Sequence, residues 1–141
     1  MTGKAECVFC GIAAGKIPCT RVYEDDRVLA FMDIGPISDG HTLVIPKAHY
    51  ERLDQCPAEV LAETAAVIGR LAGPVAEAVG ADGYNVLCNN GSAAGQVVEH
   101  VHFHIIPRKA GDGVFNRWPA FQYPQGKAEA IAEKIKEKLK S

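Results

Sequence analysis

The spacing of apolar and polar positions changes period several times along the chain. Between residues 99 and 108, His100, His102 and His104 alternate with Val101, Phe103 and Ile105. A period of two with β-branched and aromatic residues at alternate positions predicts a strand, with three imidazoles on one face and core residues on the other. Further strands are predicted at Arg21–Glu24 and Val28–Asp33, joined through Glu24–Arg27 as a hairpin. Two more are predicted at Gly40–Lys47, apolar up to Pro46, and at Gly83–Asn89. A helical period runs through Pro57–Val79, where Val60, Leu61, Thr64, Ala65, Ile68, Leu71, Ala72, Val75 and Val79 form one stripe. Pro74 is expected to kink or split that helix. Lys127–Leu139 shows the same period, and a short helix is expected from about Cys7 to Ala14, closed by Gly15. Four or five strands on short turns with these helices predict an α+β fold: an antiparallel sheet, a long helix and a C-terminal helix.

Composition narrows the function classes. A chain of 141 residues, 48% hydrophobic and 23% charged, suits one domain with a real core. The formal charge of −2, without a basic cluster outside the last helix, argues against a nucleic-acid binder. Met1–Glu6 is polar with no apolar stretch behind it, and no apolar run reaches membrane-spanning length, so no membrane partner is expected. An odd count of five cysteines argues against a disulfide framework and for a reducing, cytoplasmic setting.

Several residues are candidates for chemistry. An imidazole near neutral pH serves as nucleophile, general acid or base, or metal ligand, so the histidine strand is the first candidate. Cys7 and Cys10, three apart on a helical turn, can point at one centre. A redox pair of that spacing follows a strand, and the six residues before Cys7 leave no room for one. Half of a zinc site and a pair of unrelated buried thiols both remain open. His49, just past a strand end, is either a third ligand or a solvated loop residue. Asp33 shares a strand face with Phe31, which suits ribose hydroxyls beside a base, or simply starts a turn. The loop Asn90–Gln96 can present backbone N–H groups to an anion, or be an ordinary connection. Phe115, Trp118, Phe121 and Tyr123 lack a clear period and suit packing against something outside the core, such as a partner subunit.

His100-Val101-His102-Phe103-His104-Ile105-Ile106 fits the H-φ-H-φ-H-φ-φ motif of the histidine triad (HIT) superfamily. Cys7-Val8-Phe9-Cys10, Ile17-Pro18, Ala30-Phe31-Met32-Asp33-Ile34, His41-Thr42-Leu43-Val44-Ile45-Pro46-Lys47 and Gly95-Gln96 follow that family's order and spacing. Over residues 7–108 the chain resembles the bacterial Hint-like branch with a zinc-binding CxxC; residues 109–141 add an aromatic segment and a helix to a single HIT-like domain. The resemblance implies a homodimer with one continuous sheet. It implies a nucleotide hydrolase that cleaves purine nucleoside phosphoramidates or dinucleoside polyphosphates at the α-phosphate through a nucleotidyl-histidine intermediate. By that carry-over His102 is the nucleophile, His104 contacts phosphate oxygens, and Gln96 lies near the leaving group. Asn89, Gly95 and Gln96 line the phosphate site, Val97 next to them is a further nucleotide-binding residue, Asp33 binds the ribose, and Val8, Phe9, Ile12, Phe31 and Ile34 form the purine slot. One structural zinc per chain is implied on Cys7, Cys10, His49 and His100, which makes His100 an anchor. Many relatives carry Ser or Thr where this chain has Val97, which bears on leaving-group assistance. The alternatives are a zinc-containing nucleotide-binding or regulatory module with little catalysis, and a nucleotidyl transferase.

Overall fold

The computed structural model describes residues 6–140, so the first five residues of the polar N-terminal stretch lie outside the description. Five antiparallel strands form one sheet: β1 (Arg21–Glu24), β2 (Val28–Met32), β3 (Thr42–Pro46), β4 (Gly83–Leu87) and β5 (Phe103–Arg108). Their order is β1-β2-β3-β5-β4. Helix α2 (Ala58–Ala78) carries the chain from β3 over β5 to β4 on the far edge. A short helix, α1 (Val8–Ala13), packs against the opposite face, and α3 (Lys127–Leu139) ends the chain.

Because both faces are covered, β2 and β3 read as nearly unbroken apolar runs rather than alternating ones. The alternation survives as a division between two layers. Leu29, Phe31, Leu43 and Ile45 face α1 with Phe9 and Ile12. Val28, Ala30, Val44 and Ile105 face α2 with Val67, Ile68 and Ala72. In β5, period two therefore puts His104 in the α1 layer, paired in register with Leu43 on one side and Leu87 on the other.

Three expectations are corrected in detail. Pro74 neither splits nor ends α2, which runs unbroken for 21 residues. Pro74 and Arg70, whose carbonyl loses its donor, both lie on the exposed side of the helix, where water can take that acceptor. Within α2, Val67 and Ala76 are buried while Ala65 is exposed, so the core stripe is rotated from the one expected. The histidine strand begins its ladder only at Phe103. Beyond Val44, β3 reaches Pro46, which has no N–H to donate and whose carbonyl is taken by the His100 ring. Residues 100–102 are held instead by Val101 N–H donating to the Tyr50 carbonyl at 2.7 Å.

Two turns behave as expected. Gly15 follows the last residues of α1 with φ of 77°, where a side chain would be strained. The β1–β2 turn is closed by the Asp25 carboxylate, which accepts from the N–H groups of Arg27 and Val28, both at 2.8 Å. By contrast Trp118, Phe121, Tyr123 and Leu139 are exposed, and α3 buries no residue.

Candidate active site and metal centre

Helix α1 lies across the ends of β2, β3 and β5, leaving a cavity of about 570 Å³ between them, a volume that suits a small ligand. Its apolar walls include Val8, Phe9, Ile12, Phe31 and Leu43, with Ile34 and Val97 at the rim. Ile34 and Val97 are almost fully solvent-exposed, an unfavourable state for two aliphatic side chains that a flat apolar ligand would relieve. Its polar end is formed by Asp33, Asn89, Gly95, His102 and His104. Ile17, Pro18, Cys19, Met32, Gly35 and Val98 also line it. Ile17 and Pro18 stood in the motif that carried the resemblance, whereas Cys19 and Val98 carry no pattern that would single them out.

Every residue expected to bind nucleotide therefore meets at this cavity except Gln96. Its amide is committed elsewhere. Gln96 Nε2 donates to the carbonyls of Glu51 at 2.7 Å and Val98 at 3.0 Å, and its Oε1 accepts from Gly91 N–H at 2.8 Å. Gln96 is thus a strut that braces its own loop and ties it to the segment at Glu51. The backbone donors of Ala94, Gly95 and Gln96 are likewise spent on Gly91 and Ser92 carbonyls. That connection is a closed 3-10 turn, Ser92–Ala94, rather than a ring of N–H groups free for an anion. Gly95, with φ of 93°, lets the turn close beside Asn89.

The three histidines differ sharply. His102 Nδ1 lies 2.7 Å from the His100 carbonyl, which can only accept, so the Nδ1 proton is fixed there. Nε2 is left with its lone pair, on a ring that lines the cavity. Burial pushes the His102 imidazole below its ordinary pKa, against the pull of the His100 carbonyl and Asp33. Phe9 meets this ring edge-on at 5.0 Å. His104 is pushed down to about 4, first by burial and then by its neighbours His102 and His41. His100 is fully buried and lies outside the cavity.

His100 belongs to a second cluster. Its Nδ1 is 3.4 Å from Cys7 Sγ and 3.5 Å from Cys10 Sγ, and His49 Nδ1 is 3.3 Å from Cys10 Sγ. All four donor atoms lie within 4.8 Å of one another. A tetrahedral zinc with Zn–S of about 2.3 Å and Zn–N of about 2.0–2.1 Å sets its sulfur and nitrogen ligands about 3.5 Å apart. The three printed separations fit that edge. His100 Nε2 donates to the Pro46 carbonyl at 2.8 Å, which leaves Nδ1 unprotonated and free to ligate. Two thiols and two imidazoles with a carbonyl in the outer shell suit zinc, and the site they make is closed.

Asp33 lies where both readings open to it converge. Its Oδ1 accepts from Gly35 N–H at 2.8 Å, closing a turn, while the residue also lines the cavity. One further residue beside the site has no role expected from the sequence. His41 precedes β3 and is buried, with Nε2 2.8 Å from His104 Nδ1 and 3.4 Å from Asp33 Oδ2. Its signals were a polar residue opening an otherwise apolar strand and its place at the head of a segment that matches the HIT family.

Residues 14–111 match the HIT domain family. The chain belongs to the HIT family. An adenosine 5′-monophosphoramidase of Schizosaccharomyces pombe is 43% identical to this HIT chain over 135 residues, which cover 95% of it and 98% of that protein. A solved structure from Streptococcus mutans UA159 superposes with a TM-score of 0.90 at 40% identity, covering 95% of this chain and 85% of that one. A zinc-bound histidine triad family protein from Mycobacterium smegmatis superposes with a TM-score of 0.74 at 39% identity, covering 96% and 99%. The α+β architecture is shared with these HIT structures.

Proposed function

We propose that this HIT chain hydrolyses purine nucleoside phosphoramidates or dinucleoside polyphosphates at the α-phosphate, through a nucleotidyl intermediate on His102. The observation that carries the reading is the 2.7 Å bond from His102 Nδ1 to the His100 carbonyl, which presents a neutral ring with a lone pair on Nε2. That lone pair forms a bond to phosphorus as the bond to the leaving amine or phosphate breaks. The leaving group keeps the electron pair and takes a proton from solvent. The imidazolium so formed keeps its Nδ1–H on the His100 carbonyl. Water then bonds to phosphorus, the P–Nε2 bond breaks, a proton goes to solvent, and neutral His102 is restored with release of the nucleoside monophosphate.

The surrounding residues are assigned to match. The Asp33 carboxylate at the end of β2 takes the ribose hydroxyls. Val8, Phe9, Ile12, Phe31, Ile34 and Val97 enclose the purine. Asn89 and His104 face the phosphate, mainly by electrostatic preorganisation. Cys7, Cys10, His49 and His100 hold one zinc, whose chemistry is structural: it ties α1 to the segment that positions His102. A S. pombe relative named for phosphoramidase activity supports the substrate class, and the zinc-bound M. smegmatis structure supports the metal.

The homodimer belongs to the same proposal. Tyr84 and Val86 are exposed on β4, an edge strand of the sheet, and Trp118, Phe121 and Leu139 are exposed in the C-terminal part of the chain. Apolar residues on a free edge suit continuation of the sheet into a second copy. Light scattering should give twice the chain mass; a monomer at micromolar concentration contradicts the dimer. No helix among the described residues is long and apolar enough to cross a membrane. A cytoplasmic location, expected from the odd cysteine count, belongs to the same proposal.

A turnover panel of adenosine 5′-phosphoramidate, a lysyl-adenylate phosphoramidate and diadenosine polyphosphates tests the activity. Hydrolysis of at least one to adenosine monophosphate is expected. One observation favours a second reading: Gln96 is committed to its loop and Val97 has no hydroxyl, so neither assists a departing group. A nucleotide-binding module with little catalysis would bind adenosine monophosphate and turn over none of the panel.

A further inference from the structure

We propose that His41 is a positioning residue that fixes the tautomer of His104, turning His104 Nε2–H into a hydrogen-bond donor for the phosphate. The inference rests on the proposed nucleotide chemistry for its purpose, but not for its geometry. The backbone N–H of Ile37 points at His41 Nδ1 at 3.2 Å. A backbone amide can only donate, so Nδ1 is the acceptor and the ring proton sits on Nε2. That Nε2–H lies 2.8 Å from His104 Nδ1, which must accept it. The His104 proton is thereby displaced to Nε2. This atom is buried and has no hydrogen-bond partner among the described residues, on a ring that lines the cavity. A buried, unpaired N–H is costly unless a ligand satisfies it.

The charged neighbours do not disturb the order of donors. Asp33 Oδ2, 3.4 Å from His41 Nε2, is an acceptor and favours the same proton position. His102, whose ring centre is 5.1 Å from that of His104, has its own proton fixed on Nδ1. Burial keeps His41 and His104 neutral at neutral pH. The same residues, Asp33, His41 and His104, also lie close enough to suggest a cation site. The 2.8 Å between the two ring nitrogens argues otherwise, because two nitrogens on one tetrahedral zinc stand about 3.3 Å apart. That separation is a hydrogen bond, and the chain of donors runs from the backbone at Ile37 through two imidazoles into the cavity.

Nitrogen-15 spectra of the histidine rings at pH 7 read the tautomers directly, without substrate. Wild-type His104 is expected to carry its proton on Nε2. In His41→Leu, which removes the donor, His104 should become a mixture of tautomers. In His41→Gln, whose amide nitrogen replaces Nε2–H, the single tautomer should return. Turnover should follow: about tenfold or more lost in kcat for His41→Leu, with KM little changed and most of the loss recovered in His41→Gln. A wild-type His104 protonated on Nδ1, or an unchanged tautomer in His41→Leu, overturns the proposal. If His41→Leu does not fold, the wild-type spectrum still decides. If the tautomers behave as described but no substrate of the panel is turned over, the relay stands and the hydrolase reading fails.

Discussion

His102 Nδ1 lies 2.7 Å from the carbonyl oxygen of His100, while the His100 ring sits with two thiols and a second imidazole. One residue thus belongs to both centres, its side chain in the metal cluster and its backbone on the proposed nucleophile. Position and tautomer of His102 depend on where the His100 backbone is held.

Metal and catalysis should therefore fall together. Protein purified without chelator should contain about one zinc per chain. Cys7→Ser or Cys10→Ser should lose most of it, lower Tm, and reduce kcat although neither cysteine lies within reach of phosphate chemistry. Metal analysis beside turnover checks this. Full zinc content in a Cys7→Ser/Cys10→Ser double variant contradicts the ligand set.

Gln96 provides a sharp choice between two roles. As a loop strut with three hydrogen bonds, its replacement in Gln96→Ala should destabilise the fold by roughly 1–3 kcal/mol. The loss should show in urea unfolding and in faster exchange of the Gly91 amide. A large loss of kcat with unchanged stability would instead place Gln96 on the substrate.

Low pH should weaken the fold through His104. Burial, with His102 and His41 nearby, holds its folded-state pKa at about 4, below the ordinary value near 6.5, while Asp33 pulls the other way. The unfolded chain then binds the proton more readily. The contribution of neutral His104 is complete above about pH 6.5 and is lost as pH falls through about 4. Wild-type Tm should drop more steeply between pH 7 and pH 4.5 than that of His104→Asn. Parallel slopes contradict the assignment.

Much of this was legible in the chain because it is written locally. The alternation of His100–Ile106 placed His104 on a sheet face, and the helical period of Pro57–Val79 placed α2. The apolar run up to Pro46 reported the strand β3, and the structure supplies the reason for the run, since both of its faces are covered. Relations set by tertiary contact were not legible. Gln96 reads as a site residue through the resemblance to the HIT family. Only the fold shows its amide bonded to Glu51, 45 residues earlier. His41 meets His104 across 63 residues, and no spacing announces that pair. The ladder starts at Phe103 rather than at His100 because Pro46 lies opposite, a feature of register and not of pattern.

Asp33 should report on the sugar. Asp33→Ala should raise KM for a ribonucleoside phosphoramidate about tenfold, the scale of one charge-assisted hydrogen bond, and change it little for the 2′,3′-dideoxy analogue. Equal effects on both substrates would assign Asp33 to the turn at Gly35 or to His41 rather than to ribose.

In the proposed mechanism His102 Nε2 becomes bonded to the nucleotide. The direct measurement is intact-protein mass spectrometry of the enzyme mixed with adenosine 5′-phosphoramidate and quenched within milliseconds into cold alkaline denaturant, where the P–N bond survives. One adenylyl group per chain, mapped to His102 and absent in a folded His102→Ala, is the expected result. His102→Ala with full turnover, or an adduct on another residue, would contradict it.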